Sequence, residues 1–465
     1  MISRHWIVAI ALLMLTGCAV GPNYKRPPVT VPGGYRGLAP DSGQQTIASI
    51  GDEKWWTVFQ DEQLQALIRE ALSQNYDVRI AAARVLQAQA VLGITRADQF
   101  PTITGGASAS SQSFPRTKNL PAVESSSNQV NLSLFWELDF WGKFRRATEA
   151  AQANLLSTEW GRNAVLSSLV SNVASAYFQL LELDAEMEIS RRTLGSRRDS
   201  LRLTEIRAKG GATSLLDVRQ SEQLVYTAAA SIPDLERRTE QQENLISILL
   251  GRNPGPVTRG KPLVENAILP VVPAGLPSSL LARRPDIQSV EQQLIAANAR
   301  IGVAKAAYFP EITLTATGGY QSSALTSLFS GPAGFWSFGG QLLQPIFTGG
   351  RIRSNVRLTE AQQQEAVLLY QQSIQQAFRE VSDSLVAYRK NQEFRAQQQF
   401  VTIAAQDASR LSGVRYQGGV TSYLEVLDSD TRYFDAQLTL AQAQLNERLA
   451  LVQLYNALGG GWQQQ

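Results

Sequence analysis

Nucleophilic and metal chemistry in proteins falls first to Cys and His, and this 465-residue chain has one of each, Cys18 and His5. Arg4 and His5 precede an apolar run from Trp6 to Leu15 that is too short to cross a bilayer as a helix, the layout of a secretory signal peptide. Removal of residues 1–17 takes away His5 together with Met1 and Met14. The mature chain is then expected to have no His, which excludes His metal sites, Cys-His catalysis and a Ser-His-Asp triad. Asp and Glu pairs remain, but on long polar helices such pairs read as solvated faces rather than as acid and base. No Gly-rich loop ending in Lys-Ser/Thr offers a nucleotide site. Met187 is the one Met left, so a thioether relay for Cu(I) is not available. The chemistry points away from an enzyme.

Cys18 has a different reading. Leu15-Thr16-Gly17-Cys18 resembles the lipobox of bacterial lipoproteins. That resemblance implies an S-diacylglycerol and an N-acyl chain on Cys18 and no other cofactor. Ala19 stands where an Asp would retain such a protein in the inner membrane, which implies transfer to the outer membrane. The formal net charge of +3 is small and no Lys or Arg run stands out, so no nucleic-acid partner is expected.

Residues 18–60 contain a stretch rich in Pro, Gly and Ser that reads as a lipidated tether, and a second Pro-rich linker spans 253–285. Between and beyond them lie two matching halves, 61–252 and 286–465. Phe100-Pro101 recurs as Phe309-Pro310, and Gly210-Gly211-Ala212-Thr213-Ser214 recurs as Gly418-Gly419-Val420-Thr421-Ser422, at offsets of 209 (309 − 100) and 208 (418 − 210). A near-constant offset across a whole half marks a tandem duplication.

Each half holds one Pro-free stretch of good helix formers, Lys143 to Lys209 and Arg351 to Gln417. Leu166, Val170, Val173, Tyr177 and Leu180, and again Ile374, Phe378, Val381, Leu385 and Tyr388, recur with the 3.5-residue period of a coiled-coil seam. At 1.5 Å per residue each stretch makes a rod of roughly 100 Å. Each rod turns at its Gly-Gly and returns as a shorter helix, Leu215 to Leu250 or Leu424 to Leu458, and Glu62 to Gln99 and Asp286 to Tyr308 supply two more short helices. The rest reads as four strands: Thr102 to Ser113, Val130 to Asp139, Ile312 to Gln321 and Phe335 to Phe347. In the second, Val130, Leu132, Leu134, Trp136 and Leu138 share one face against Asn131, Ser133, Glu137 and Asp139, and in the third Ile312, Leu314, Ala316 and Tyr320 alternate with Thr313, Thr315, Thr317 and Gln321. Strands of about 10 residues, apolar outside and polar inside, are the signature of an outer-membrane barrel. Four strands cannot close one, and open edges cannot sit in lipid, so several chains must contribute. Three give 12 strands.

On these residues the chain resembles the outer-membrane efflux protein family, the TolC-like outer membrane factors, in its lipoprotein branch. The most specific marks are Leu281-Ala282-Arg283-Arg284-Pro285-Asp286-Ile287, Ile301-Gly302-Val303-Ala304 leading to Phe309-Pro310, Gly418 to Leu427, and Ala457-Leu458-Gly459-Gly460-Gly461-Trp462. The resemblance implies a mainly α fold with β: a homotrimer whose 12-stranded barrel continues as a long periplasmic α-helical barrel. It implies a passive exit duct for drugs or other small toxic compounds. The partners it implies are a periplasmic adaptor, an inner-membrane pump of the resistance-nodulation-division type, and outer-membrane lipid. The family's constriction falls on Leu424 and Asp428; its usual basic residue three positions on is Thr431 here, with Arg432 a substitute. The tips Gly210, Gly211, Thr213, Ser214, Gly418, Gly419, Thr421 and Ser422 are the expected adaptor contacts. Two other readings stand beside this one, a type I protein-secretion duct and a periplasmic coiled-coil scaffolding lipoprotein.

Overall fold

The computed structural model describes residues 19–36, 49–116, 121–263 and 273–463. Cys18 and the signal segment lie outside them. The chain divides into two compact units. One comprises Met1–Pro28, Arg84–Thr158 and Ser289–Tyr370, and the other Val29–Ala83, Glu159–Gln288 and Gln371–Gln465.

The first unit carries the sheet. Strands β1 (Thr102–Phe114), β2 (Val123–Glu137), β3 (Glu311–Ser322) and β4 (Gly334–Leu343) pair antiparallel in chain order. The hairpin of one half thus meets that of the other at β2–β3. Ile103 lies opposite Leu134, Val130 opposite Tyr320, Ala316 opposite Phe338, and Ile312 opposite Leu342. Because side chains alternate along a strand, this register places Leu132, Leu134, Trp136, Leu314, Trp336 and Phe338 on one face and Thr104, Ser133, Thr317, Ser337 and Gln341 on the other. The apolar face is bare: Trp336 is 83% and Phe338 72% exposed, a state that water alone would not sustain. The outer edges of β1 and β4 have no strand partner among the described residues. Sequence periodicity extends the fourth strand to Phe347, but it ends at Leu343, two residues before Pro345, which has no N–H for a ladder.

Residues 19–26 also belong to this unit and are pinned along its helices rather than free as a tether. The Val20 N–H donates to Trp141 O, and Arg146 donates to Val20 O, Gly21 O and Asn23 Oδ1. Asn298 donates to Pro22 O, while Tyr24 and Arg26 both reach the buried Glu291 carboxylate, Arg26 at 2.7 and 2.5 Å. Gly21 lies directly on Gly302, where any Cβ would strike the opposing backbone.

The helices are α1 (Trp55–Val58), α2 (Glu62–Gln74), α3 (Tyr76–Ala97), α4 (Lys143–Lys209), α5 (Leu215–Leu249), α6 (Pro277–Arg283), α7 (Pro285–Ala306), α8 (Arg351–Gln417) and α9 (Tyr423–Ala457). The two rods α4 and α8 run 67 residues each, with the bounds that composition sets. Every seam residue named from the sequence is buried except Phe378, which is half-buried.

One expected helix is broken. Glu62 to Gln99 divides at Asn75, whose extended backbone interrupts the ladder. Its Oδ1 accepts from Asp77 N and Val78 N to restart α3, and its Nδ2 donates to Leu249 O at the end of α5. Gly251, at φ +76°, makes room for Gln74 O at the same corner. Side-chain competition of this kind is why Asn caps helices and breaks them. In the second unit Arg284 is buried against Asp286 at 2.6 Å and Glu380 at 2.7 Å and donates to Ala457 O at the end of α9.

Candidate functional site: the helix tips and the constriction

Both rods end in the same hydrogen-bond motif. Ala212 N donates to Arg207 O and Gly211 N to Ala208 O; Val420 N donates to Arg415 O and Gly419 N to Tyr416 O. These are Schellman caps, which need a left-handed residue at the turn. That residue is the second glycine of each pair, Gly211 at φ +73° and Gly419 at φ +72°. Gly210 and Gly418 have ordinary φ, and a Cβ on either meets carbonyl oxygens at 3.5–3.6 Å and, at Gly418, Val420 Cγ2 at 3.8 Å, all ordinary contacts. The conformational demand of each Gly-Gly turn therefore falls on its second glycine, Gly211 or Gly419.

The next residues start the returning helices, and the two tips differ. Ser214 caps α5 through a reciprocal box with Asp217: Asp217 N donates to Ser214 Oγ at 3.3 Å and Ser214 N to Asp217 Oδ2 at 3.1 Å. Thr213 also donates to that carboxylate. The Thr213 bond, with those from Ser214, holds the Asp217 carboxyl below the usual carboxylate range. In the second tip Ser422 makes no side-chain cap. Thr421 instead donates to Glu425, which also faces Arg415 at 3.5 Å. Thr213, Ser214 and Thr421 thus serve helix starts through their hydroxyls, and Ser214 and Ser422 remain exposed.

The tips are tied to each other. The Arg207 guanidinium lies 4.7 Å from the Tyr416 ring centroid and donates to Tyr416 O at 3.3 Å. Tyr416 in turn leans on Tyr423, the first residue of α9, at 5.3 Å. About three turns along α4 from Arg207, the buried Arg197 donates to Leu224 O on α5 at 3.0 Å and lies 5.0 Å over Phe434 of α9. Burial lowers its pKa and raises that of nearby Asp430, which accepts from Ser409 of α8 at 2.5 Å.

The residues expected at the constriction sit on the first turns of α9. Leu424 is 60% exposed, Asp428 follows it by four residues and so shares its face, and Arg432 follows Asp428 by four. Arg432 Nε donates to Asp428 Oδ2 at 2.8 Å within the same chain. Both side chains are largely exposed, so the pair contributes at most about 1 kcal/mol and is easily exchanged for another partner. Leu215, Leu216, Val420 and Leu424 form exposed apolar surface around the tips. Sequence reasoning missed Arg197, Asp430 and Arg207, since their partners, Leu224 O and Phe434, Ser409, and Tyr416, lie on other helices and leave no local pattern.

Residues 67–252 and 276–460 each match the sequence model of a family described as outer membrane efflux protein. The chain is 40% identical over 461 residues to the solvent efflux pump outer membrane protein SrpC of Pseudomonas putida, covering 97% of both. It is 36% identical over 454 residues to the cation efflux system protein CusC of Escherichia coli O6:H1, again covering 97% of both. The fold is similar to the crystal structure of the open state of the Neisseria gonorrhoeae MtrE outer membrane channel, with a TM-score of 0.86 at 32% identity over 96% of this chain and 99% of that one.

Proposed function

The chain belongs to the outer membrane efflux protein family and is the outer-membrane channel of an efflux system, and on that premise we propose how its parts serve export. Three chains join β4 of one to β1 of the next, closing 12 strands with the Trp336 face toward lipid and the Thr317 face toward the lumen. Cys18 carries the acyl anchor, and residues 19–26 hold that anchor beside the Trp141 end of β2. A periplasmic adaptor docks on the Gly211 and Gly419 tips, and an inner-membrane pump of the resistance-nodulation-division type loads the duct. Its relatives are named for solvent, cation and antibiotic efflux, which supports small-molecule cargo over secreted protein.

The observation that carries this reading is the sheet: two edges without a strand partner among the described residues and a bare apolar face backed by a polar one suit a multi-chain barrel in lipid. Control lies at the tips. Threefold symmetry turns Leu424 into an apolar plug and Asp428 into a carboxylate ring that favours cations. Transfer of Arg432 from its own Asp428 to a neighbouring chain's would tighten the ring, and its release would widen it.

The test is complementation. In a Gram-negative strain that lacks its own duct but keeps a matching pump and adaptor, the chain is expected to restore solvent or drug tolerance. Metabolic labelling with palmitate is expected to mark the wild type and not Cys18→Ser. Normal outer-membrane targeting with no gain of tolerance for any pump tried would refute the export reading.

A further inference from the structure

Where α4 and α5 meet α9, the wall holds a buried acid beside an arginine that is already paired to another carboxylate. Glu182 interrupts the run Tyr177-Phe178-Gln179-Leu180-Leu181-Glu182-Leu183, is 2% exposed, and its Oε1 has no hydrogen-bond partner among the described residues. It lines a cavity of about 500 Å³ with Gln179 of α4, Arg238, Gln241 and Gln242 of α5 and Gln442 of α9. Glu186 follows one turn later on α4, and Arg238 of α5 donates to its Oε2 at 3.2 Å. The residues that α9 presents to the cavity, Gln442 and Leu445, carry no charge.

The charges do not balance if both acids ionise: two carboxylates face one guanidinium. A buried carboxylate without a partner is far less stable than its protonated form, and one proton restores neutrality. We propose that Glu182 and Glu186 form a proton-binding site in the wall of the duct, holding one shared proton while α4, α5 and α9 are closely packed and releasing it when they part. Burial first, then the hydrogen bond and charge of Glu186, push Glu182 from the ordinary 4.5 up to about 8, against the opposing pull of Arg238. On parting, the O–H bond of the shared proton breaks, the proton passes to water entering the cavity, and that water solvates the new carboxylate. By linkage, acid favours the closed wall and alkali loosens it.

The folded carboxyl binds its proton more tightly than the unfolded one, so stability falls as pH rises from the ordinary carboxylate range to about 8. The experiment follows unfolding of the full-length, detergent-purified protein at about pH 6 and about pH 9, with infrared difference spectra between the two. The wild type is expected to lose several degrees of unfolding midpoint and a protonated-carboxyl band. Glu182→Gln should keep its midpoint and lack the band. Glu186→Gln frees Arg238 for Glu182 and should shift the band's loss to lower pH. A Glu182→Gln protein with the wild-type pH loss and band overturns the proposal. Should that variant assemble poorly, a wild type with no band, or a Glu186→Gln band that does not move, overturns it equally. None of these readouts involves export, so the reading of the chain as an efflux channel stands or falls separately.

Discussion

At the tips, single residues make opposite demands within a pair. A side chain at Gly211 or Gly419 must adopt a left-handed backbone, which costs roughly 1–2 kcal/mol for most residues, whereas Gly210 and Gly418 carry no such demand. Gly419→Val is expected to weaken amide protection across the turn and reduce export, while Gly418→Ala should leave both near wild type; hydrogen exchange of the turn peptide reads the difference. Equal protection in the two variants would remove the special role of the second glycine. If Leu424 and Asp428 form the proposed constriction, Leu424→Ala should raise single-channel conductance in planar bilayers and Asp428→Ala should reduce preference for cations. Two variants that conduct like the wild type would place the gate elsewhere. The sequence showed where the Gly-Gly turns fall because the motif is local and repeated. It did not separate the two glycines, since the difference lies in φ and not in residue type.

Among the elements, the long helices were legible for the same reason: good helix formers, a 3.5-residue seam and glycine ends are all local signals. The Asn75 break was not, because its Nδ2 partner, Leu249 O, comes from a distant helix. Glu182 left a trace, an acid inside a mostly apolar run, but only packing by three helices turns that trace into a buried carboxyl. The Arg284 cluster adds a second pH dependence of opposite sense. Burial pushes Asp286 up, but the hydrogen bond and charge of Arg284 outweigh it and leave the carboxyl below its ordinary range. Its contribution is therefore present above the ordinary carboxylate pKa and is lost as pH falls through the lowered folded value. Asp286→Asn is expected to flatten the acid side of the stability profile and leave the alkaline side unchanged, as thermal unfolding across pH will show. The N-terminal segment offers another test. Glu291→Ala removes the acceptor for Tyr24 and Arg26, so trypsin should cut after Lys25 sooner than in the wild type; unchanged cleavage would mean that the segment is held without that carboxylate.

For the molecule as a whole, the sheet makes the strongest statement, because its two faces cannot share one solvent. Phe338→Arg puts a charge toward lipid, which costs roughly 2–4 kcal/mol near a bilayer midplane, and should sharply lower the yield of heat-resistant oligomer. Ser337→Arg, one residue away on the polar face, should assemble normally and change conductance instead. Equal behaviour of the two on semi-denaturing gels would contradict the assigned faces. The bare edges of β1 and β4 carry this into genetics. A chain whose own edge is spoiled still offers its other edge to sound neighbours, so each defective copy disables the ring that it joins. With equal expression of both alleles and random mixing in threes, only about one assembly in eight would be wholly wild type. Edge mutations should therefore be dominant, whereas null alleles of the same locus should be recessive.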